Sequence, residues 1–185
     1  IGEAESVTEA AREIGTRFGR VDVLVNNGGF TTPVPIDDLD ALTDEIFDAV
    51  VRVNLRGPFA MVRALRPLLE VPNRSVIVNV SSIAARTGVG SNLAYCAAKA
   101  GVDALTIGLA KLLAPKIRVL AVAPAGVDTG FVEVRTHDRL QAIAEGLPLR
   151  HLTTPDDVAK AVMACVSELT SATGISIPVD EGRHL

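Results

Sequence analysis

The sequence predicts an α/β fold in which a parallel sheet is covered by helices. Two observations carry this expectation. Short unbroken apolar runs, such as Val76-Ile77-Val78, suit strands buried on both faces. These runs alternate with longer stretches whose apolar residues recur every three or four positions, the helical spacing. With 185 residues, 48% of them hydrophobic and 22% charged, the chain has a globular composition. It is long enough for one domain, residues 1–185, with a sizeable core.

Taken in order, the first element is a helix. Ser6 and Glu9 have the spacing of a capping box, Val7, Ala10, Ala11, Ile14 and Phe18 follow at helical spacing, and Gly19 stands where a C-terminal glycine belongs. The chain starts at Ile1-Gly2-Glu3 without a Met and enters this helix almost at once, as a piece of a longer protein would. Val21 to Val25 reads as a strand running into the turn Asn26-Asn27-Gly28-Gly29. After a loop holding Pro33 and Pro35, a long helix is expected from about Asp44 to Glu70, with Ile46, Val50, Val53, Gly57, Met61, Ala64 and Leu68 on one line. Val76 to Val80 is the second strand and residues 81–91 are a loop rich in Ser and Gly. A helix from about Asn92 to Leu113 and a strand from Ile117 to Ala123 follow. Residues 124–152 are mixed. Thr154-Pro155-Asp156-Asp157 then opens a helix with an N-cap, a proline at the first position and acids at the positive dipole end. Ile175 to Val179 is the last strand.

Several function classes fall away on composition. The net charge is −4, and no basic stripe is available for a nucleic-acid backbone. Cys96 and Cys165 have no metal-ligand spacing and read as buried small hydrophobes. His137, His151 and His184 show no metal spacing either, and each reads as a surface or loop residue. No apolar run is read as approaching membrane-spanning length and no signal-peptide pattern opens the chain. A cytoplasmic protein without nucleic-acid or membrane partners is the expectation.

The candidate chemistry lies on the second half of the sheet. Tyr95, the only tyrosine, stands four residues before Lys99 on a predicted helix, so the two share a face. An ammonium there would favour the phenolate and bring the phenol toward a useful acid/base range. The neighbours Ala94, Cys96, Ala97, Ala98, Ala100 and Gly101 are small, which permits close approach of a flat ligand or another helix. Ser81 and Ser82 end the second strand, on the side where α/β sheets bind ligands, and a hydroxyl there can meet a developing oxyanion. Asn54 lies inside the long helix, and Pro58 four residues on has no N–H for its carbonyl. A kink with a freed carbonyl able to hold a water is therefore expected.

Together these residues resemble the short-chain dehydrogenase/reductase family along essentially the whole chain. Asn26-Asn27-Gly28-Gly29 is similar to its Asn-Asn-Ala-Gly motif, Asn54 to its helix asparagine, and Ser82 and Tyr95-Cys96-Ala97-Ala98-Lys99 to its catalytic serine and Tyr-x-x-x-Lys element. Pro124-Ala125-Gly126-Val127-Asp128-Thr129 resembles Pro-Gly-x-Val-x-Thr, and Val179-Asp180-Glu181-Gly182 resembles Val-Asp-Gly-Gly. The resemblance implies a Rossmann-like, doubly wound parallel sheet, here without its first three strands. It implies hydride transfer with NAD or NADP between a carbonyl and an alcohol, in the manner of oxoacyl or sugar reductases.

In that reading Tyr95 is the acid/base and Lys99 tunes it and holds the nicotinamide ribose. Ser82 fixes the substrate oxygen, and Asn54 anchors a water that links Lys99 to solvent. Asn26, Gly28, Pro124, Gly126, Val127 and Thr129 contact the cofactor, with Asn26 near the adenosine ribose. No metal is implied. Residues 128–150, with Phe131, His137, Leu147 and Leu149, would cover the substrate. A homodimer or homotetramer is implied, with helices 44–70 and 92–113 as the seam. The sequence departs from the family at Gly28, at Ala125-Gly126 and at Glu181. The glycine-rich phosphate turn is not in these residues, which places about a quarter of the family's length outside them. Two alternatives stand beside this reading: a non-catalytic binding or regulatory relative, and an epimerase or dehydratase on the same fold.

Overall fold

The computed structural model describes residues 1–127 and 143–185. Four strands, β1 (Val23–Asn26), β2 (Ser75–Val80), β3 (Ile117–Pro124) and β4 (Ser176–Val179), pair in parallel in the order β1-β2-β3-β4. The helices between them are α1 (Ala4–Phe18), α2 (Asp44–Val51), α3 (Gly57–Leu69), the single turn α4 (Ala84–Thr87), α5 (Leu93–Leu113) and α6 (Pro155–Ser167).

Alternation along the strands splits the core in two. Leu24, Ile77 and Val119 point to one face, where Ile14 of α1, Leu65 and Leu69 of α3 and Leu109 and Leu113 of α5 pack on them. Val76, Val78, Leu120 and Val122 point to the other, under Val158, Val162 and Cys165 of α6. The central strands are thus buried on both faces, as their apolar runs predict. β1 is not. Its Val23 and Val25 are each 40% exposed, and α6 packs on β2, β3 and β4.

The helix ends show where local rules held. Gly19 closes α1 in the left-handed region, φ 70°. Thr154 and Asp157 form a reciprocal capping box on α6, with Pro155 in the first turn. The box expected at Ser6 and Glu9 is absent. The helical hydrogen bonds begin at Glu3, which caps without its side chain, and Glu9 turns outward to Arg12 at 2.6 Å. Ala4 and Glu5 are good helix formers, and they carry the helix one turn past Ser6.

The stretch 44–70 is helical but is not one α-helix. Residues Arg52–Arg56 form a π-turn between α2 and α3, where the Gly57 N–H reaches back to Arg52 O. Pro58 sits in the first turn of α3, so its missing N–H leaves the carbonyl of Asn54 without the usual partner. The kink expected from Asn54 and Pro58 takes this form. In the Ser/Gly loop after β2, α4 adds one turn and ends at Gly88, φ 67°.

α5 is the central helix. Its 21 residues and mean hydropathy of 1.3 reach the length and apolarity of a membrane span, which the sequence reading did not register. Its buried residues pack on the sheet instead, through Leu109, Ala110 and Leu113. Cys96 and Cys165 are free and buried, as expected.

Candidate active site

The strand tips carry the site. Asn26 ends β1, Ser81 and Ser82 follow β2, and Pro124 ends β3. Backbone bonds knit these loops together: Ser81 N–H to Val122 O at 2.8 Å, Ile83 N–H to Pro124 O at 3.0 Å, and Ala125 N–H to Val179 O at 3.2 Å. The N-terminus of α5 meets them from one side.

Asn92 sets that N-terminus. It is fully buried, and its side-chain oxygen accepts from the Tyr95 N–H at 2.7 Å. Its amide donates to Thr32 O at 2.7 Å and to Thr31 Oγ1 at 3.2 Å. One side chain therefore fixes both the start of α5 and the loop after β1, with Tyr95 at the junction.

Tyr95, Lys99 and Ser82 converge. Tyr95 is half-buried and hydrogen-bonds Ser82. The Lys99 ammonium lies 5.5 Å from the centre of the Tyr95 ring and donates to Val80 O at 2.7 Å. Ser81 Oγ–H donates to Lys99 O at 3.3 Å, which ties the strand end to the same helical turn. Ser82 Oγ also accepts from the Ala84 N–H at 3.2 Å.

Burial governs the protonation of both groups. It pushes the Tyr95 phenol above the usual tyrosine range, and the bond with Ser82 works against that push. It pulls Lys99 from 10.5 down to about 8, opposed by the carboxylate of Asp103. The expected lowering of Tyr95 by Lys99 is thus not what this arrangement gives. The ammonium lies over the ring and bonds the Val80 carbonyl, and burial is the largest influence on the phenol.

Asn54 is 1% exposed and clamps the loop after β1. Its amide donates to Phe30 O at 2.5 Å and Val50 O at 2.9 Å, and its oxygen accepts from the Phe30 N–H at 3.3 Å. Asn26 turns inward: its amide donates to Asn79 Oδ1 at 2.8 Å, and Asn79 donates to Thr106 Oγ1 at 2.9 Å. Gly28 packs against Ile1, whose Cδ1 would lie 3.0 Å from an added Cβ. Gly126 and Val127 are part-exposed beyond Pro124. Thr129, Phe131 and His137 lie outside the described residues.

Sequence reasoning missed Asn79, Thr106 and Asn92 as parts of this assembly. Only Asn92 carried a local signal, as a cap residue just before a helical pattern. It also gave no role to His151 and His184. His151 pairs with the buried carboxylate of Glu181 at 2.9 Å, and His184 with that of Asp180 at 2.8 Å. Both pairs tie down the turn after β4.

Comparison with known proteins gives the family. A family model described as enoyl-(acyl carrier protein) reductase matches residues 1–184. The chain belongs to the short-chain dehydrogenase/reductase family. It is 38% identical to a ketoacyl reductase of granaticin polyketide synthesis from Streptomyces violaceoruber, described there as putative, over 91% of this chain and 68% of that protein. It is 33% identical to a 3-oxoacyl-(acyl-carrier-protein) reductase from Thermotoga maritima, over 98% of this chain and 74% of that one. Among solved structures, a short-chain dehydrogenase/reductase from Burkholderia xenovorans superposes with a TM-score of 0.90 at 35% identity, over 98% of this chain and 72% of that chain. The aldohexose dehydrogenase of Thermoplasma acidophilum superposes with a TM-score of 0.88 at 27% identity, covering 98% and 74%. The protein is an oxidoreductase of this family, on a Rossmann-like parallel sheet.

Proposed function

We propose that the protein interconverts a ketone or aldehyde with the corresponding alcohol, using NAD or NADP, with Tyr95 as the acid/base. The meeting of Ser82, Tyr95 and Lys99 at the end of β2 supports this reading above all. The donor set there suits the nicotinamide-ribose end of the cofactor. Lys99 has two ammonium protons beyond the one given to Val80 O, and the part-exposed backbone after Pro124 lies at the same strand tips. When bound, the cofactor supplies or accepts the hydride.

The residues of the chain do the rest. Ser82 hydrogen-bonds the substrate oxygen and holds it at the phenol. Tyr95 gives its proton to that oxygen in reduction and takes it back in oxidation. Lys99 holds the ribose through its ammonium. Its own preference for the neutral form above about pH 8 bounds the pH range in which it can do so. Asn54 keeps the loop after β1 in place and offers the π-turn carbonyl to a water leading toward Lys99. Gly28, Gly126 and Val127 line the cofactor, and Pro124 ends the strand that presents it; the role that the family resemblance gives Thr129 falls outside the described residues.

The matched relatives point to oxoacyl thioesters and sugars as the first substrates to try. A cytoplasmic homodimer or homotetramer is the form we assign, with the apolar groove of Leu55, Phe59, Gly101, Leu105 and Gly108 at its seam.

The test is consumption of reduced nicotinamide with a panel of 3-oxoacyl thioesters and aldoses. Tyr95→Phe is expected to lower kcat by about a thousandfold, and Ser82→Ala by about a hundredfold or more. Undiminished turnover in Tyr95→Phe would overturn the assignment.

A further inference from the structure

Lys99 has a charged neighbour that the proposed reaction does not use. Asp103 follows it by four residues on α5, so the two lie on one face a helical turn apart. From α4, Arg86 brings Nε to 3.9 Å from Asp103 Oδ2, and its Nη2 donates to Ser176 O at 2.9 Å. Arg86 is therefore held between α5 and β4 at a distance too long for a hydrogen bond with Asp103. The other carboxylate oxygen, Oδ1, is buried and has no hydrogen-bond partner among the described residues.

This is an unusual placement for a carboxylate. The side chain is only 19% exposed, and its buried oxygen is unmet among the described residues, which costs stability. Packing does not explain the charge, since an amide or an aliphatic side chain would fill the same space. The buried ammonium of Lys99 stands one helical turn away, and the Asp103 charge works against the lowering that burial imposes on it. It does so in a medium where charges interact far more strongly than in water.

We propose that Asp103 is a positioning residue for the reaction, holding Lys99 in its ammonium form, with Arg86 moderating its field. The inference rests on the reading of Tyr95 and Lys99 as the proton machinery. The groups facing Lys99 are few. Tyr95 and Asp103 lie on its own helix, and the Val80 carbonyl comes from β2; the Ser81 hydroxyl bonds the backbone carbonyl of Lys99 and the Ser82 hydroxyl bonds Tyr95. Asp103 is the one charged group among the described residues that shifts Lys99. Arg86 stands behind it on α4.

The two charges have opposite consequences. Without the Asp103 charge, Lys99 loses its proton at lower pH. Without the Arg86 charge, Asp103 acts unopposed and Lys99 keeps its proton to higher pH. A role in packing or in joining α4 to α5 would not give shifts of opposite sign.

The experiment follows the Lys99 ammonium directly by NMR of the full chain carrying ¹³C-labelled lysine. Its signal is separated from those of Lys111, Lys116 and Lys160 by its loss in Lys99→Met. Asp103→Asn is expected to move the Lys99 midpoint down by roughly 0.5–1 pH unit, Arg86→Met to move it up by a smaller amount, and Asp103→Glu to restore most of it. The alkaline limb of the kcat profile should move in the same directions. An unmoved midpoint in Asp103→Asn, or shifts of the same sign in both variants, overturns the proposal. Arg86 is half-exposed, so Arg86→Met keeps the test open if Asp103→Asn fails to fold. The titration also separates the two readings. If Tyr95→Phe remains active, the catalytic assignment fails, while the midpoints still report on Asp103.

Discussion

The two asparagines at the tips of β1 and β2 allow a quantitative test of what holds the site in shape. Asn26 donates to Asn79 at 2.8 Å, Asn79 donates to Thr106 at 2.9 Å, and the Thr106 hydroxyl donates to Val102 O at 2.9 Å. The three residues are 6%, 2% and 0% exposed, so water cannot replace a lost partner. Asn79→Ala strands the Asn26 amide, at a cost of about 1–3 kcal/mol. It also leaves a small cavity, while Thr106 keeps its own outgoing bond. A total of about 2–4 kcal/mol is expected. Asn26→Ala strands only one acceptor, since Asn79 retains its bond to Thr106, and about 1–2 kcal/mol is expected. Both single variants break the same bond, so the double variant should fall short of their sum by about 1 kcal/mol. Urea unfolding of the four proteins measures this. The same set separates two roles for Asn26, because the family resemblance places it at the adenosine ribose and the structure turns its amide into the sheet. We expect Asn26→Ala to lose stability with less than a tenfold change in nucleotide affinity, that is less than about 1.4 kcal/mol. Strict additivity, or unchanged stability with a larger loss of affinity, would refute the reasoning.

Other variants test separate links. The fall of Lys99 from 10.5 to about 8 corresponds to about 3 kcal/mol against folding at neutral pH. Between pH 8 and 10.5 the unfolded chain binds this proton and the folded chain does not, so that cost is relieved as pH rises. Lys99→Met should therefore be more stable than the parent at pH 7, with the advantage shrinking toward pH 9.5 in denaturation curves, below the range where Tyr95 titrates. An unchanging advantage would show that Lys99 is not the titrating group. In Gly90→Ala the new Cβ would lie 2.9 Å from Cys96 Sγ and 3.3 Å from Tyr95 Cδ1. The overpacking costs about 1–3 kcal/mol and displaces the ring, so kcat should fall at least about tenfold while KM changes less; full activity would count against the placement of Tyr95. Arg118 donates to the carbonyls of Cys165, Val166 and Leu169 at the end of α6. Arg118→Ala should cost about 2 kcal/mol in thermal unfolding, and a loss below about 0.5 kcal/mol would mean that water satisfies those carbonyls.

Much of this was legible in the sequence where the governing contacts are local. β2 and β3 stand out because both their faces are apolar, and the ends of α1 and α6 because Gly19 and Thr154 act on their own turns. Tyr95 and Lys99 follow from helical spacing, which needs no tertiary knowledge. The misses share a different cause. The Ser6 box lost to Ala4 and Glu5, which extend the helix at little cost. The partners of Asn79, Asp103, Arg118, His151 and His184 are chosen by packing. All but those of His184 lie on another element, and they leave no mark on spacing. The protonation of Tyr95 was misjudged because proximity on a helix face is visible in sequence while desolvation is not.

The polar groups inside this core are not scattered. Asn26, Asn54, Asn79, Asn92 and Lys99 are all buried, and each bonds a group from another element or from the loop after β1. Buried polar pairs add little net stability, but they are intolerant of misplacement, so they specify one arrangement where apolar packing would accept several. Here Asn54 fixes Phe30, Asn92 fixes Thr32 and Tyr95, and the Asn26–Asn79–Thr106 relay fixes the β1 and β2 tips to α5. The amides are neutral and satisfied, so they hold this geometry at small cost. Lys99 alone among the five is ionisable, and it alone opposes folding. α5 is otherwise apolar enough to resemble a membrane span, yet it carries this ammonium and Asp103 one turn behind it. A helix selected for packing alone would hold neither; Asp103 has its ion-pair partner in Arg86, and the Lys99 ammonium has the role proposed for it at the N-terminal end of α5, where Tyr95 meets Ser82.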